Sequence, residues 1–217
     1  KPPLAERFSA DPEAVDCVLF QEWGTISRED AWLAAGIENV LQASLANWAG
    51  SAIFAEYAYE TSPHLPLTFP AFAFCDENHT RRGAWRGACS GLCIANGFDN
   101  TWGPHQILDE DQPGVHQLAL IRDFFVRRVP FADLRQAADF VVTQATVRGH
   151  QPLALTSPSF AAFVVYLPVG GQVEIKLPEH QCTGTRWYDP RTGMDQPAHP
   201  HATAAGTSVF TAPPGDD

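Results

Sequence analysis

Ile53-Phe54-Ala55-Glu56-Tyr57-Ala58-Tyr59-Glu60 is the stretch on which the reading of this fold turns. Three apolar residues of strand character run into two carboxylates that bracket two tyrosines, and the turn residues Thr61, Ser62 and Pro63 follow directly. That is how a carboxylate is placed at the end of a barrel strand. In a (β/α)8 barrel the carboxyl ends of the strands line the active site, so an acid there is a candidate catalyst. A glutamate closing a strand is equally at home as a surface residue or an ion-pair partner, so the neighbouring segments have to decide.

On the N-terminal side, Asp16 to Gln21 is a short apolar run with polar ends, which predicts a strand buried on both faces. Ser27 and Asp30 stand as a capping pair ahead of a long helical pattern with Leu33, Ile37, Val40, Leu41, Ser44, Leu45 and Trp48 on one face. Residues 16 to 56 therefore make a strand, helix, strand unit of the length a parallel crossover requires. On the C-terminal side, Pro63 to Phe74 reads as a proline- and phenylalanine-rich loop able to wall a pocket. Thr80 to Ser90 predicts a small-residue helix despite two glycines, and Leu92 to Ala95 another buried strand. That strand leads into Asn96-Gly97-Phe98-Asp99-Asn100-Thr101-Trp102-Gly103-Pro104-His105. Aromatic faces pack on the C–H faces of a sugar ring while amides and carboxylates take its hydroxyls, so this mixture suits carbohydrate; it is also compatible with an ordinary turn anchored by a tryptophan.

Gly114 to Arg128 carries Val115, Leu118, Ile121 and Phe125 at helical spacing, and Pro130 ends it. From about residue 150 the period changes from 3.6 to 2. Leu153 to Leu155, Phe163 to Leu167, Val173 to Leu177, Thr185 to Tyr188 and Val209-Phe210 are short strand candidates, separated by Pro168, Gly170, Gly171, Pro178, Gly184, Pro190 and Gly193. This spacing predicts a small antiparallel sandwich. Within it, Asp189-Pro190-Arg191-Thr192-Gly193 reads as a tight turn in which Asp189 bonds its own backbone and Gly193 takes positive φ.

The 217 residues are 45% hydrophobic and 11% aromatic, ample for a packed core. Net charge is −11, from 25 acids against 14 bases, and the nearest approach to a basic run is Arg81-Arg82 with Arg86. Nucleic acid and anionic membrane are thereby disfavoured as partners. No stretch approaches the ~20 uncharged apolar residues of a membrane span, and Lys1-Pro2-Pro3 lacks the apolar core of a signal peptide. The five cysteines, Cys17, Cys75, Cys89, Cys93 and Cys182, are an odd set, so at least one is unpaired within the chain. Cys89 and Cys93 flank the helix-to-strand junction with no second ligand pair at zinc spacing, and are read as small buried hydrophobes. No metal or organic cofactor is indicated.

Laid out together, these segments resemble the apiosidase-like glycoside hydrolases of the family-140 type. Phe54 to Glu60 is similar to that family's Glu-x-x-Tyr-Glu strand end, and Arg82, Trp85, Gly91, Gly97 and Trp102 to its late helix, glycine-rich strand and following loop. Tyr166-Leu167-Pro168-x-Gly170 and Trp187-Tyr188-Asp189-Pro190-Arg191-Thr192-Gly193 are similar to its sandwich signatures. The resemblance runs over roughly residues 16 to 212. It implies an α/β plus all-β chain: residues 1–148 as the C-terminal portion of a (β/α)8 catalytic barrel carrying its last three strands, and residues 149–217 as a small antiparallel β-sandwich, often labelled collagen-binding, that lacks its last strand. Five barrel strands and the family's catalytic acid then fall outside this chain, which marks it as an excerpt of a longer protein or as one half of a split enzyme.

Glycoside hydrolysis requires two carboxyl groups, one protonated and one ionised. The resemblance implies Glu56 as the ionised one, a nucleophile in a retaining mechanism, and Tyr57 or Tyr59 is near enough in sequence to orient it. Gln21, Tyr59, Glu60, Asn100, Trp102 and His105 are the substrate-contact candidates, mostly by position at or after strand ends, while Tyr59, Glu60 and the lone His105 fit a supporting or structural role as well. The expected substrate is a plant or microbial polysaccharide or its side chains, and the resemblance favours a secreted or periplasmic setting. Two other readings stand beside hydrolysis. One is a non-catalytic carbohydrate- or matrix-binding protein; the other is a split-barrel subunit completed by a partner, in which an exposed apolar face near residues 17–21 marks the docking surface.

Overall fold

The computed structural model describes residues 4–8, 10–11, 15–21, 37, 51–61, 74–98, 112–177, 184–203 and 206–215. Most of the expected helix from Ser27 to Trp48 lies outside them, as do residues 63–73, Cys182, and the site candidates Asn100, Trp102 and His105. Ile37 alone represents that helix; it is helical and buried. The chain divides into two compact units, Lys1–Ala88 with Leu92–Gly114, and Cys89–Gly91 with Val115–Asp217.

The first unit opens with the short helix α1 (Leu4–Arg7) and contains a three-stranded parallel sheet, β1 (Cys17–Gln21), β2 (Ser51–Glu60) and β3 (Cys93–Phe98), with β2 in the middle. Cys17 to Gln21 register with Ser51 to Ala55, and Ile53 to Ala55 with Cys93 to Ala95. Helix α2 (Glu77–Cys89) packs on one face. It starts a turn earlier than its periodicity indicates because Asp76 caps it: Asp76 Oδ1 accepts the backbone N–H groups of Asn78 (3.0 Å) and His79 (3.2 Å). Burial raises the Asp76 carboxyl, but the hydrogen bonds from His79 and Asn78 outweigh it and hold the group below the usual carboxylate range.

The two glycines inside α2 are there for proximity. A β-carbon built on Gly83 would sit 2.2 Å from the Tyr57 ring, and one on Gly87 2.3 Å from Ile94 and 3.3 Å from Phe54. Each glycine costs the helix about 1 kcal/mol relative to alanine. The close approach it allows buries Phe54 and Tyr57 almost completely, and burial of one such ring contributes roughly 1.5–3 kcal/mol. Phe54 stacks on Tyr57 with ring centroids 5.3 Å apart and meets Phe20 at 5.6 Å.

The opposite face of the sheet corrects two expectations. β1 is covered on one face only: Phe20 packs against Phe54, whereas Leu19, one residue earlier and on the other face, is 63% exposed. Cys93 is likewise exposed, while Cys89 is buried in α2. A continuous apolar run or a cysteine in a strand carries no mark of which face a helix will cover, so the sequence could not separate Cys89 from Cys93. The strand bearing Glu56 is also longer than expected: it runs through both carboxylates to Glu60, and Glu56 lies inside it.

The second unit begins with the greater part of α3 (Pro113–Asp123), whose first residue is a proline, as suits a position with no partner for its N–H. The helix widens into one π-turn at Phe124–Arg128, and Val129, extended ahead of Pro130, ends it. Short antiparallel sheets follow. Strand β4 (Arg135–Gln136) pairs with β5 (Leu153–Thr156) and β5 with β6 (Phe163–Tyr166). Strand β7 (Gln172–Ile175) pairs with β11 (Ser208–Thr211), β11 with β10 (His201–Ala202), and β8 (Arg186–Tyr188) with β9 (Asp195–Pro197). Their core gathers Ala137, Val141, Ala154, Val173, Ile175, Ala198 and Phe210, with Trp187 edge-on to Phe210. The Asp189–Gly193 turn forms as its residues dictate: Asp189 Oδ1 accepts the Arg191 N–H at 2.8 Å and Gly193 has φ +72°. Arg128 lies over the Tyr188 ring and pairs with Asp195 at 2.6 Å and with Asp123 at 3.4 Å. Helices and several small antiparallel sheets thus make this unit β-rich.

Candidate functional site

The site is built on a backbone irregularity in β2. Between Ala55↔Ala95 and Tyr59↔Gly97 the central strand advances four residues while β3 advances two. The two extra residues form a bulge, and Glu56 within it adopts φ +54°. A non-glycine residue in the left-handed region carries a conformational cost, and such residues concentrate where function demands a particular side-chain direction. Here the turned backbone brings the Glu56 side chain over Gly97: a β-carbon on Gly97 would lie 3.1 Å from Glu56 Cγ, 3.5 Å from Cβ and 3.7 Å from Cα.

Two side chains converge on the half-buried Glu56. The Tyr59 hydroxyl donates to Glu56 Oε2 at 2.6 Å. Gln21, at the carboxyl end of β1, donates through Nε2 to the same Oε2 and, at 2.8 Å, to the Tyr59 oxygen. Of the two candidate tyrosines, Tyr59 makes the bond. Tyr57 instead turns its ring onto Phe54 and Gly83, and its buried hydroxyl lies close enough to Glu60 that desolvation first, then that carboxyl, push its ionisation well above the usual range. A carboxylate accepting two hydrogen bonds at one oxygen is held in orientation by both donors.

Glu60, four residues on, occupies different surroundings. It is 1% exposed. Thr80 Oγ1 on α2 donates to its Oε2 at 2.7 Å, and the Gly114 backbone N–H in the first turn of α3 donates to its Oε1 at 2.9 Å. Desolvation pushes the Glu60 carboxyl above the usual range; the bonds from Thr80 and Gly114 oppose that, and the neighbouring Glu77 and Asp76 charges add to it. The structure therefore brings Gln21, Glu56 and Tyr59 into one hydrogen-bonded group and sets Glu60 beside it in a closed one. Thr80, Gly97 and Gly114 were missed by sequence reasoning. Gly97 stands in a strand interior, where a glycine signals close backbone approach, and that was the available cue; Thr80 and Gly114 carried none.

Among the described residues no group of three or more His, Cys, Asp or Glu side chains is placed to hold a metal ion. No described helix is long and apolar enough to cross a membrane. Comparison with known families reaches the C-terminal part of the chain. Residues 137–217 match the family described as "putative collagen-binding domain of a collagenase". The match begins just after the π-turn and β4 and takes in the core strands β5 to β11. No curated protein matches the chain.

Proposed function

We propose that this chain takes part in glycoside hydrolysis, with Glu56 as the ionised carboxylate that attacks the anomeric carbon in a retaining mechanism. The observation that carries the reading is the left-handed Glu56 backbone together with the Tyr59 and Gln21 donors on a single carboxylate oxygen. Both donors engage Oε2, so Oε1 is the oxygen presented for attack. Donors on Oε2 keep the carboxylate oriented between turnovers, and that orientation is where much of the rate enhancement of such a site resides. The parallel sheet fits the late strands of a (β/α)8 barrel of the apiosidase-like kind, whose strand ends would supply the site. Glu60, closed off by Thr80 and Gly114, is not placed to act as the general acid, and this role falls to a carboxyl beyond the described residues. On this reading the substrate is a polysaccharide or its side chains.

A second reading is favoured by the family match. It makes the C-terminal domain a binding module for an extracellular matrix or carbohydrate ligand, and it is the match, not the Glu56 geometry, that supports it. The two readings are compatible in one protein but separable by experiment. Glu56→Gln in the full-length protein is expected to abolish release of reducing sugar from plant and bacterial glycans without changing the circular dichroism spectrum. A protein that binds glycan or collagen fibres and cleaves no glycan before or after the substitution supports binding alone.

A further inference from the structure

We propose that Glu60 is a positioning residue: by locking the end of β2 to Thr80 and to the first turn of α3, it fixes Tyr59 and thereby the direction of the Glu56 carboxylate. The inference rests on the reading of Glu56 as the reacting group. Glu60 follows Tyr59 directly, and both are buried, at 1% and 0% exposure. Each oxygen of Glu60 has a separate donor, from Thr80 at 2.7 Å and from Gly114 at 2.9 Å. The fit leaves no slack: a β-carbon on Gly114 would lie 1.8 Å from Glu60 Oε2, so only glycine lets the backbone N–H come this close. Phe54, just before the bulge, and Tyr57, within it, are clamped by Gly87 and Gly83 of α2. Tyr59 thus lies between two held residues, Tyr57 and Glu60, with its hydroxyl on Glu56. A buried carboxyl would be a costly choice for simple packing, since an apolar residue fills such a space without desolvating a charge. Two directional bonds at the end of one strand explain the choice, because they fix its position along and across the sheet.

The test uses the full-length protein and two readouts: hydrolysis kinetics, and the rate at which a water-soluble carbodiimide with an amine labels Glu56, followed by peptide mass spectrometry. Glu60→Ala and Gly114→Ala are expected to lower kcat by about 10-fold or more with KM within about twofold, and to speed labelling of Glu56 several-fold, because positioning acts on the reacting geometry and not on ground-state binding. Glu60→Gln, which keeps the shape and the acceptor for Gly114, recovers most of both effects. Thr80→Val removes one bond and gives an intermediate response, which serves if Glu60→Ala does not fold. Folded variants with unchanged kcat and unchanged labelling overturn the proposal, and so does a rise in KM alone, which would make Glu60 a substrate contact. Labelling that responds in a protein hydrolysing no glycan sustains the positioning role and removes the hydrolytic reading instead.

Discussion

Gly97→Ala separates the chemistry of this site from its stability. The added methyl meets Glu56 Cγ at 3.1 Å, where ordinary contact begins at 3.4 Å, so the Glu56 side chain must yield by about 0.3 Å. Gly97 has no left-handed backbone to strain. Replacing glycine in a strand stabilises the chain by about 0.5–1 kcal/mol, while crowding a packed site costs about 1–3 kcal/mol; the two partly offset, and the net loss stays within about 2.5 kcal/mol. The effect on rate does not cancel. Misplacing a reacting group by 1 Å costs about 10²-fold, and a third of that displacement scales to roughly 5-fold. The expected outcome is a kcat lowered about 5-fold, with the midpoint of thermal unfolding lowered by no more than about 10 °C. Tyr59→Phe provides the internal control: with Gln21 as the remaining donor of the pair, the carboxylate yields more readily to the new methyl, and the alanine costs less in the double variant than alone. Full activity in Gly97→Ala, or strict additivity with Tyr59→Phe, would refute the packing of Glu56 on Gly97 as the basis of its orientation.

Gly83→Ala is expected to act on stability instead, since its methyl would enter the buried Tyr57 ring at 2.2 Å; a loss of about 2 kcal/mol or more in urea unfolding is predicted. Glu60 gives a pH dependence of stated sign. Because burial raises its carboxyl above the usual range, the folded state takes up a proton that the unfolded state has released. Its contribution to stability is therefore present below the ordinary carboxylate range and is lost as pH rises through the raised value. Glu60→Gln should flatten that part of the profile in thermal unfolding measured from pH 4 upward, and an unchanged slope would place the titrating group elsewhere.

Much of this arrangement was legible in the residues. The run from Ile53 into Glu56 announced the central strand, and the strand, helix, strand length announced its parallel pairing with β1. The tyrosine hydroxyl on Glu56 was foreseeable in kind but not in identity, because the bulge decides between Tyr57 and Tyr59. A two-residue bulge leaves no local signature: it arises where α2, with its glycines, pulls Tyr57 onto one face and β3 pairs with Tyr59 beyond it. Gln21 was expected at the site from its place at the end of β1, and its bond to Glu56 depends on register, which only pairing determines. Strands β4, β9 and β10 escaped notice because two or three mostly exposed residues show no alternation. The exposure of Leu19 could not be read either, since an apolar run says that burial is available and not on which face it occurs.

The most direct measurement of the central claim is trapping of the reacting carboxylate with a 2-deoxy-2-fluoro glycoside bearing a good leaving group, followed by peptide mass spectrometry of the full-length protein. If Glu56 is the nucleophile of a retaining glycosidase, the fluorosugar is found covalently on the peptide containing Glu56, and Glu56→Gln abolishes the adduct. An adduct on another carboxylate, or turnover of the reagent that persists in Glu56→Gln, contradicts the account.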